Sequence, residues 1–130
     1  MPTAELDPGE HDPAEVFRDG LALGELRYRR CRCRWCADRS AQLRLLCATC
    51  GGTEFDWERS SGRGRIYRMA EPTGGGAAGG TAVVELAEGF RMSARLVPVP
   101  AHRLWPGAPV RLEVTEDGGA LRPAFRAVAA

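Results

Sequence analysis

The chain has no lysine: all eighteen of its basic residues are arginine, the signature of a GC-rich genome rather than of a mechanism. No apolar run approaches the roughly 20 residues that a helix needs to cross a bilayer. The opening Met1-Pro-Thr-Ala-Glu-Leu-Asp7 is acidic and lacks the basic start and apolar stretch of a secretory signal. Histidine is scarce, with only His11 and His102. The sequence shows no serine–histidine or cysteine–histidine constellation, no carboxylate pair and no phosphate-cradling loop, so it offers no obvious active site. Its five cysteines are an odd number, and their paired spacing suits a metal site better than a disulfide framework. A reducing, cytoplasmic setting is the expectation.

What is present is unevenly distributed. Residues 1–26 carry a net charge of −6, residues 27–50 carry +6, and residues 51–130 carry +1. Four thiolates around one Zn²⁺ would add a formal −2 to the central segment, leaving about +4. That is a modest basic patch, which the acidic lead could partly neutralise, and not a nucleic-acid-binding tail.

The chemistry lies in two cysteine pairs, Cys33-Arg-Trp-Cys36 and Cys47-Ala-Thr-Cys50, with ten residues between them. Two such knuckles on a short arm bring four sulfurs to the corners of a tetrahedron, the geometry of a closed structural zinc site. A zinc with four protein sulfurs has no open position for water, so one structural ion is expected. Cys31 is a possible substitute for Cys33, since the allowed spacing reaches four intervening residues. A rubredoxin-like iron site uses similar ligands. A redox Cys-x-x-Cys requires a βαβ setting that is missing. Cys31 as a nucleophile would need a base, and neither His11 nor His102 is near in sequence; a surplus cysteine is more often buried or idle.

The fold expected is mainly β. Residues 1–11 read as a disordered lead. Asp12-Pro13-Ala14-Glu15 is a helix start, with Val16, Phe17 and Leu21 forming the apolar face of a helix within 12–25. A rubredoxin-like zinc ribbon follows over 26–60, entered by Leu26–Arg30 and closed by Phe55 and Trp57; Ala37 stands where glycine would ease the first knuckle. Residues 61–130 alternate in short strands: Gly64–Met69, Thr81–Leu86, Phe90–Val97 ended by Pro98 and Pro100, one around Val110–Val114, and Ala120–Val128. Thr73–Gly80 reads as a flexible loop. Five strands with close turns suit an OB-fold barrel.

Taken in order, several segments resemble a known family. They are Gly24-Glu-Leu-Arg-Tyr-Arg-Arg-Cys31, the two cysteine pairs, Trp57 with Ser61-Gly-Arg-Gly-Arg-Ile-Tyr67, Val83-Val-Glu-Leu-Ala-Glu-Gly89, Pro106-Gly-Ala-Pro-Val110 and Leu121-Arg-Pro-Ala-Phe125. The family is the zinc-ribbon and OB-fold proteins, long catalogued as a domain of unknown function, that accompany thiolase-like enzymes of acyl-CoA metabolism. The resemblance implies a non-catalytic accessory subunit bound to a thiolase-like, ketosynthase-like or aldolase enzyme, sometimes lining a shared CoA pocket. In that family the tyrosine-rich lead runs directly into the first cysteine, which here would be Cys31; the tighter knuckle favours Cys33. Glycine and alanine replace the apolar residues that family members often place after the first barrel strand.

Candidate partner contacts are Trp35, Arg34, Arg44 and Phe17. Trp35 sits inside the first knuckle, and either anchors an interface or packs on the helix. Trp57 and Trp105 read as core or hinge residues, His102 as a solvated or capping residue, and the arginines of 27–44 as a solvated face. A second function class is a single-stranded nucleic-acid binder, for which Tyr67, Phe90 and Phe125 are the candidate stacking residues. A third is an autonomous acyl-CoA binder.

Overall fold

A computed structural model describes residues 12–69 and 78–128. The expected acidic lead, with His11, and residues 73–77 of the expected loop lie outside the described residues.

Helix α1 runs Pro13–Ala22. Asp12 is extended at φ −66°, ψ 123°, and its side chain accepts the Ala14 N–H at 3.1 Å. It thereby satisfies one of the N–H groups that a helix start leaves unpaired, and Pro13 lacks one. Val16 and Leu21 are buried and Phe17 is partly buried against the core. Gly20 is a packing requirement: a Cβ there would lie 2.7 Å from Cδ of Arg27, whose guanidinium crosses the helix to reach the Val16 carbonyl at 3.2 Å.

Three strands form the ribbon sheet in the antiparallel order β2-β1-β3: β1 Arg27–Cys31, β2 Arg39–Ser40 and β3 Phe55–Arg59. The pairing Cys31↔Phe55 at one end and Arg27↔Arg59 at the other makes Cys31 the last strand residue before the first knuckle.

The remaining strands close a barrel: β4 Arg63–Met69, β5 Ala78–Leu86, β6 Arg91–Val99, β7 Pro109–Asp117 and β8 Ala120–Ala127, in the order β4-β5-β6-β8-β7. All pairings are antiparallel except β6 with β8, where Leu96 faces Phe125 in parallel register. One parallel contact among five short Greek-key strands is the OB-type connection. A 3₁₀ turn at Ala101–Arg103 bridges β6 and β7.

Two boundaries differ from expectation. Strand β6 continues through Pro98 to Val99, and β5 starts at Ala78 instead of Thr81. Gly80 pairs with Leu96 but Ala78 pairs with Val99, so the ladder slips there. Pro98 falls in that irregularity, where its missing N–H costs no ladder bond. Close approach also fixes Gly64, since a Cβ would lie 2.6 Å from the Glu85 carbonyl oxygen.

The core is shared between ribbon and barrel. Leu26 and Tyr28 belong to one buried cluster with Ile66, Val84, Leu86, Leu96, Val110 and Phe125. Tyr28 and Phe90 meet with ring centroids 4.5 Å apart, within the range where aromatic pairs attract beyond their buried area. A polar clasp reinforces the join: Glu88 accepts from the Ser60 hydroxyl and the Ser61 N–H, each at 2.7 Å. These bonds and burial act on the Glu88 carboxyl in opposition, and the net effect holds it below its ordinary range. The cysteine-bearing sheet is thus seated on the barrel hairpin. Of the two readings of Trp105, core or hinge, its 47% exposure removes the core one.

Candidate metal centre and ribbon surface

Each knuckle is a backbone turn. In the first, the Cys33 carbonyl accepts from the N–H groups of Cys36 and Ala37; in the second, the Cys47 carbonyl accepts from Gly51, and Cys47 N–H donates to the Gly52 carbonyl. Ala37 takes φ 49°, the left-handed conformation that its sequence position suggested and that glycine adopts more readily.

The sulfurs of Cys31, Cys36, Cys47 and Cys50 all lie within 4.8 Å of one another. Cys33 is not in that group; the sulfur gathered with the other three is that of Cys31, the substitute that the spacing allowed. The cause is the strand. Cys31 ends β1 with its side chain facing inward, 1% exposed, and its N–H fixed to the Asp38 carbonyl at 2.8 Å. Cys33 lies two residues later and contributes its carbonyl to the knuckle.

These four residues fit a tetrahedral metal. Bonds of about 2.3 Å to sulfur give tetrahedral edges of about 3.8 Å, and two of the edges here are 3.5 Å (Cys31–Cys50) and 3.6 Å (Cys36–Cys47). Gly52 belongs to the cradle: its N–H points to Cys50 Sγ at 3.4 Å, and a Cβ there would sit 3.3 Å from that sulfur and 3.6 Å from Cys31 Sγ. Backbone N–H groups of Cys50 and Thr49 hold the Cys47 thiol down to about 7. The Gly52 N–H pulls Cys50 the same way, but contact with Cys31, desolvation and the other thiols push it up to about 12. The first sulfur therefore ionises at the expense of the last, a conflict that a divalent cation removes. The four cysteines lie close enough to hold a metal ion, and their all-thiolate set suits zinc.

The arginines of the ribbon are largely paired within it, by acids on the neighbouring strand. Arg30 meets Glu58 at 2.9 Å and Asp56 at 3.5 Å; Arg32 meets Asp56 at 3.1 Å; Arg39 meets Glu58 at 3.4 Å. Tyr28 donates to Glu58 at 2.7 Å, and together these donors hold the Glu58 carboxyl below its ordinary range. Among the described residues the acidic segment 1–26 contributes through Glu25, which pairs Arg27 at 3.0 Å and Arg59 at 3.1 Å, and β3 supplies further acids.

Arg29 departs from the expected solvated face. It is 9% exposed, lies 4.1 Å over the Phe55 ring, and donates through Nη2 to the Arg44 carbonyl. Trp57, half-buried, sits 5.8 Å from the same guanidinium.

Of the candidate contact residues, Trp35 is 89% exposed and does not pack on the helix. Arg34 stands beside it, 5.9 Å from its ring, and Arg44 is exposed. Phe17, packed against the core, is not placed with them. Residues overlooked in the sequence are Leu45 at 89% exposure, Leu46 at 54% and Leu43 at 38%. Their signal was available: Leu43-Arg-Leu45-Leu46 lies on the ten-residue arm between the two cysteine pairs, too short a segment to carry a core of its own.

Fold and site together define a four-cysteine ribbon seated on an OB-type barrel. Among solved structures, one described as an Ltp2-ChsH2(DUF35) aldolase has the same fold: it superposes with a TM-score of 0.68 over 95% of this chain and 100% of that chain, at 24% identity. No family model matches the chain, and no curated protein does. Among the described residues, no helix is long and apolar enough to cross a membrane.

Proposed function

We propose that this chain is a non-catalytic accessory subunit. It holds one structural zinc through Cys31, Cys36, Cys47 and Cys50, and it binds a thiolase-like or aldolase-type enzyme acting on acyl-CoA substrates. The carrying observation is the end-to-end fit to the DUF35-bearing aldolase structure, which covers ribbon and barrel alike. The surface supports it. A soluble module gains nothing by exposing Trp35, Leu45 and Leu46 unless a partner covers them, and the adjoining Arg34 and Arg44 suit an acidic rim. Zinc contributes the rigidity: it ties to one point the two loops that carry these side chains.

The nucleic-acid reading has less behind it. Phe90 and Phe125 are 4% and 0% exposed, so neither can stack on a base. Tyr67 is 44% exposed, but the Arg91 guanidinium covers its ring at 3.7 Å.

Co-expression with the thiolase-like and aldolase-type enzymes encoded beside this chain is the test. The proposal requires one of them to co-purify with it and to change in activity when it is removed. If none does either, the accessory role is wrong. Tight oligonucleotide binding with a steep salt dependence would instead favour the alternative.

A further inference from the structure

Between the ribbon arm and the barrel hairpin lies a cavity of about 230 Å³ whose wall includes Arg29, Arg39, Arg44 and Arg91, with Leu46 and Phe55 as its apolar part. Among the described residues its one carboxylate is Asp38, which forms an ion pair with none of the arginines, and Cys47 of the thiolate cluster also lines it. Two of the four guanidiniums have acids already, at stretched distances: Arg39 with Glu58 at 3.4 Å and Arg91 with Glu85 at 3.5 Å. Arg44 donates only to the neutral Gln42, at 2.9 and 2.6 Å. Arg29 is the telling one. It is 9% exposed, it has no acidic partner among the described residues, and its Nε is buried without any hydrogen-bond partner.

A buried cation without a counter-ion is costly, and stacking on Phe55 offsets only part of that cost. Two guanidiniums without acids face one cavity, with two more loosely held beside them. We infer that this cavity is a binding site for a phosphate group. Guanidinium forks suit tetrahedral oxyanions, and four arginines against one carboxylate and one thiolate leave the cavity wall net positive. The space would hold about eight waters at roughly 30 Å³ each, which exceeds one phosphate and leaves Leu46 and Phe55 to contact an organic substituent. This inference does not depend on the accessory role: phosphate could bind with no enzyme present, and a partner could bind with this cavity empty.

The test is a titration of the zinc-loaded full chain by heteronuclear NMR at fixed ionic strength, with inorganic phosphate in one arm and phenyl phosphate in the other. Saturable one-site shifts are expected at the side chain of exposed Arg44 and at the backbone amides of 42–48. Arg29→Met and Arg44→Gln should each weaken binding about tenfold or more, whereas Arg126→Gln, a pair-forming residue on the far strand, should not change it. Arg44 is exposed, so its variant tests the site even where Arg29→Met does not fold. Tighter binding of the ester assigns the site to a phosphate-bearing organic ligand, and equal binding assigns it to the free ion. Unsaturable shifts spread over all arginines, or unchanged affinity in Arg44→Gln, would overturn the inference.

Discussion

Replacing Cys31 and Cys33 one at a time distinguishes the strand-end ligand from the knuckle residue. Structural zinc in small modules contributes an apparent 10–16 kcal/mol, or about 2.5–4 kcal/mol per ligand if four share it equally. Cys31 Sγ is 3.5 Å from Cys50 Sγ and its side chain is 1% exposed, so Cys31→Ser removes one corner of the site with no replacement at hand. Zinc affinity should fall by about two to three orders of magnitude. Cys33→Ser keeps the carbonyl that accepts from Cys36 and Ala37, and should alter stability by no more than about 0.5 kcal/mol. Competition with a chromogenic chelator reads the affinity, and guanidinium unfolding at saturating zinc reads the stability. The reasoning is refuted if Cys33→Ser releases zinc while Cys31→Ser retains it.

Three further consequences follow from the same geometry. Ala37 holds φ 49°, so Ala37→Gly should stabilise the zinc-loaded chain by about 1 kcal/mol in denaturant titration, by relieving left-handed strain; a loss of stability would contradict that. Burial, and then the hydrogen bond to Glu58, push the Tyr28 phenol up from 10.0 to about 12. A raised folded value contributes stability that is fully present below about pH 10 and disappears as pH rises through about 12. Phenolate absorbance should therefore show a late-titrating tyrosine that is absent in Tyr28→Phe; identical titration curves would rule it out. Phe125, fully buried where β6 meets β8, should cost about 3–5 kcal/mol on Phe125→Ala. A cost under 1 kcal/mol would mean that the barrel is not packed as described.

The sequence was most legible where a local rule dominates. Asp12-Pro13 set the helix start, and the alternation within Phe90–Val97 set one barrel face, because capping and side-chain period act over a few residues. Legibility failed where partners come from distant segments. Cys31 and Cys33 differ by two residues, and only the pairing of β1 with β3 shows that Cys31 ends a strand facing the other sulfurs. The same register places Glu58 between Arg30 and Arg39, which a count of charges along the chain could not reveal. Arg29 looked like its solvated neighbours until Phe55 came to lie beneath it. The leucines of the arm needed the converse argument, a segment too short to carry a core of its own.

The proposed accessory role requires an interface, and the exposed leucines of the ribbon arm are the surface proposed for it. The most direct test is size-exclusion chromatography with light scattering of the zinc-loaded chain mixed with a candidate thiolase-like or aldolase-type enzyme from the same source, comparing wild type with Leu45→Asp. Leu45 is 89% exposed, so the variant should fold and keep its zinc. The account predicts a stable complex for the wild type and at least about thirtyfold weaker association for the variant, as expected for an interface anchor. A complex that forms equally well with Leu45→Asp, or no complex with the folded wild type, would contradict it.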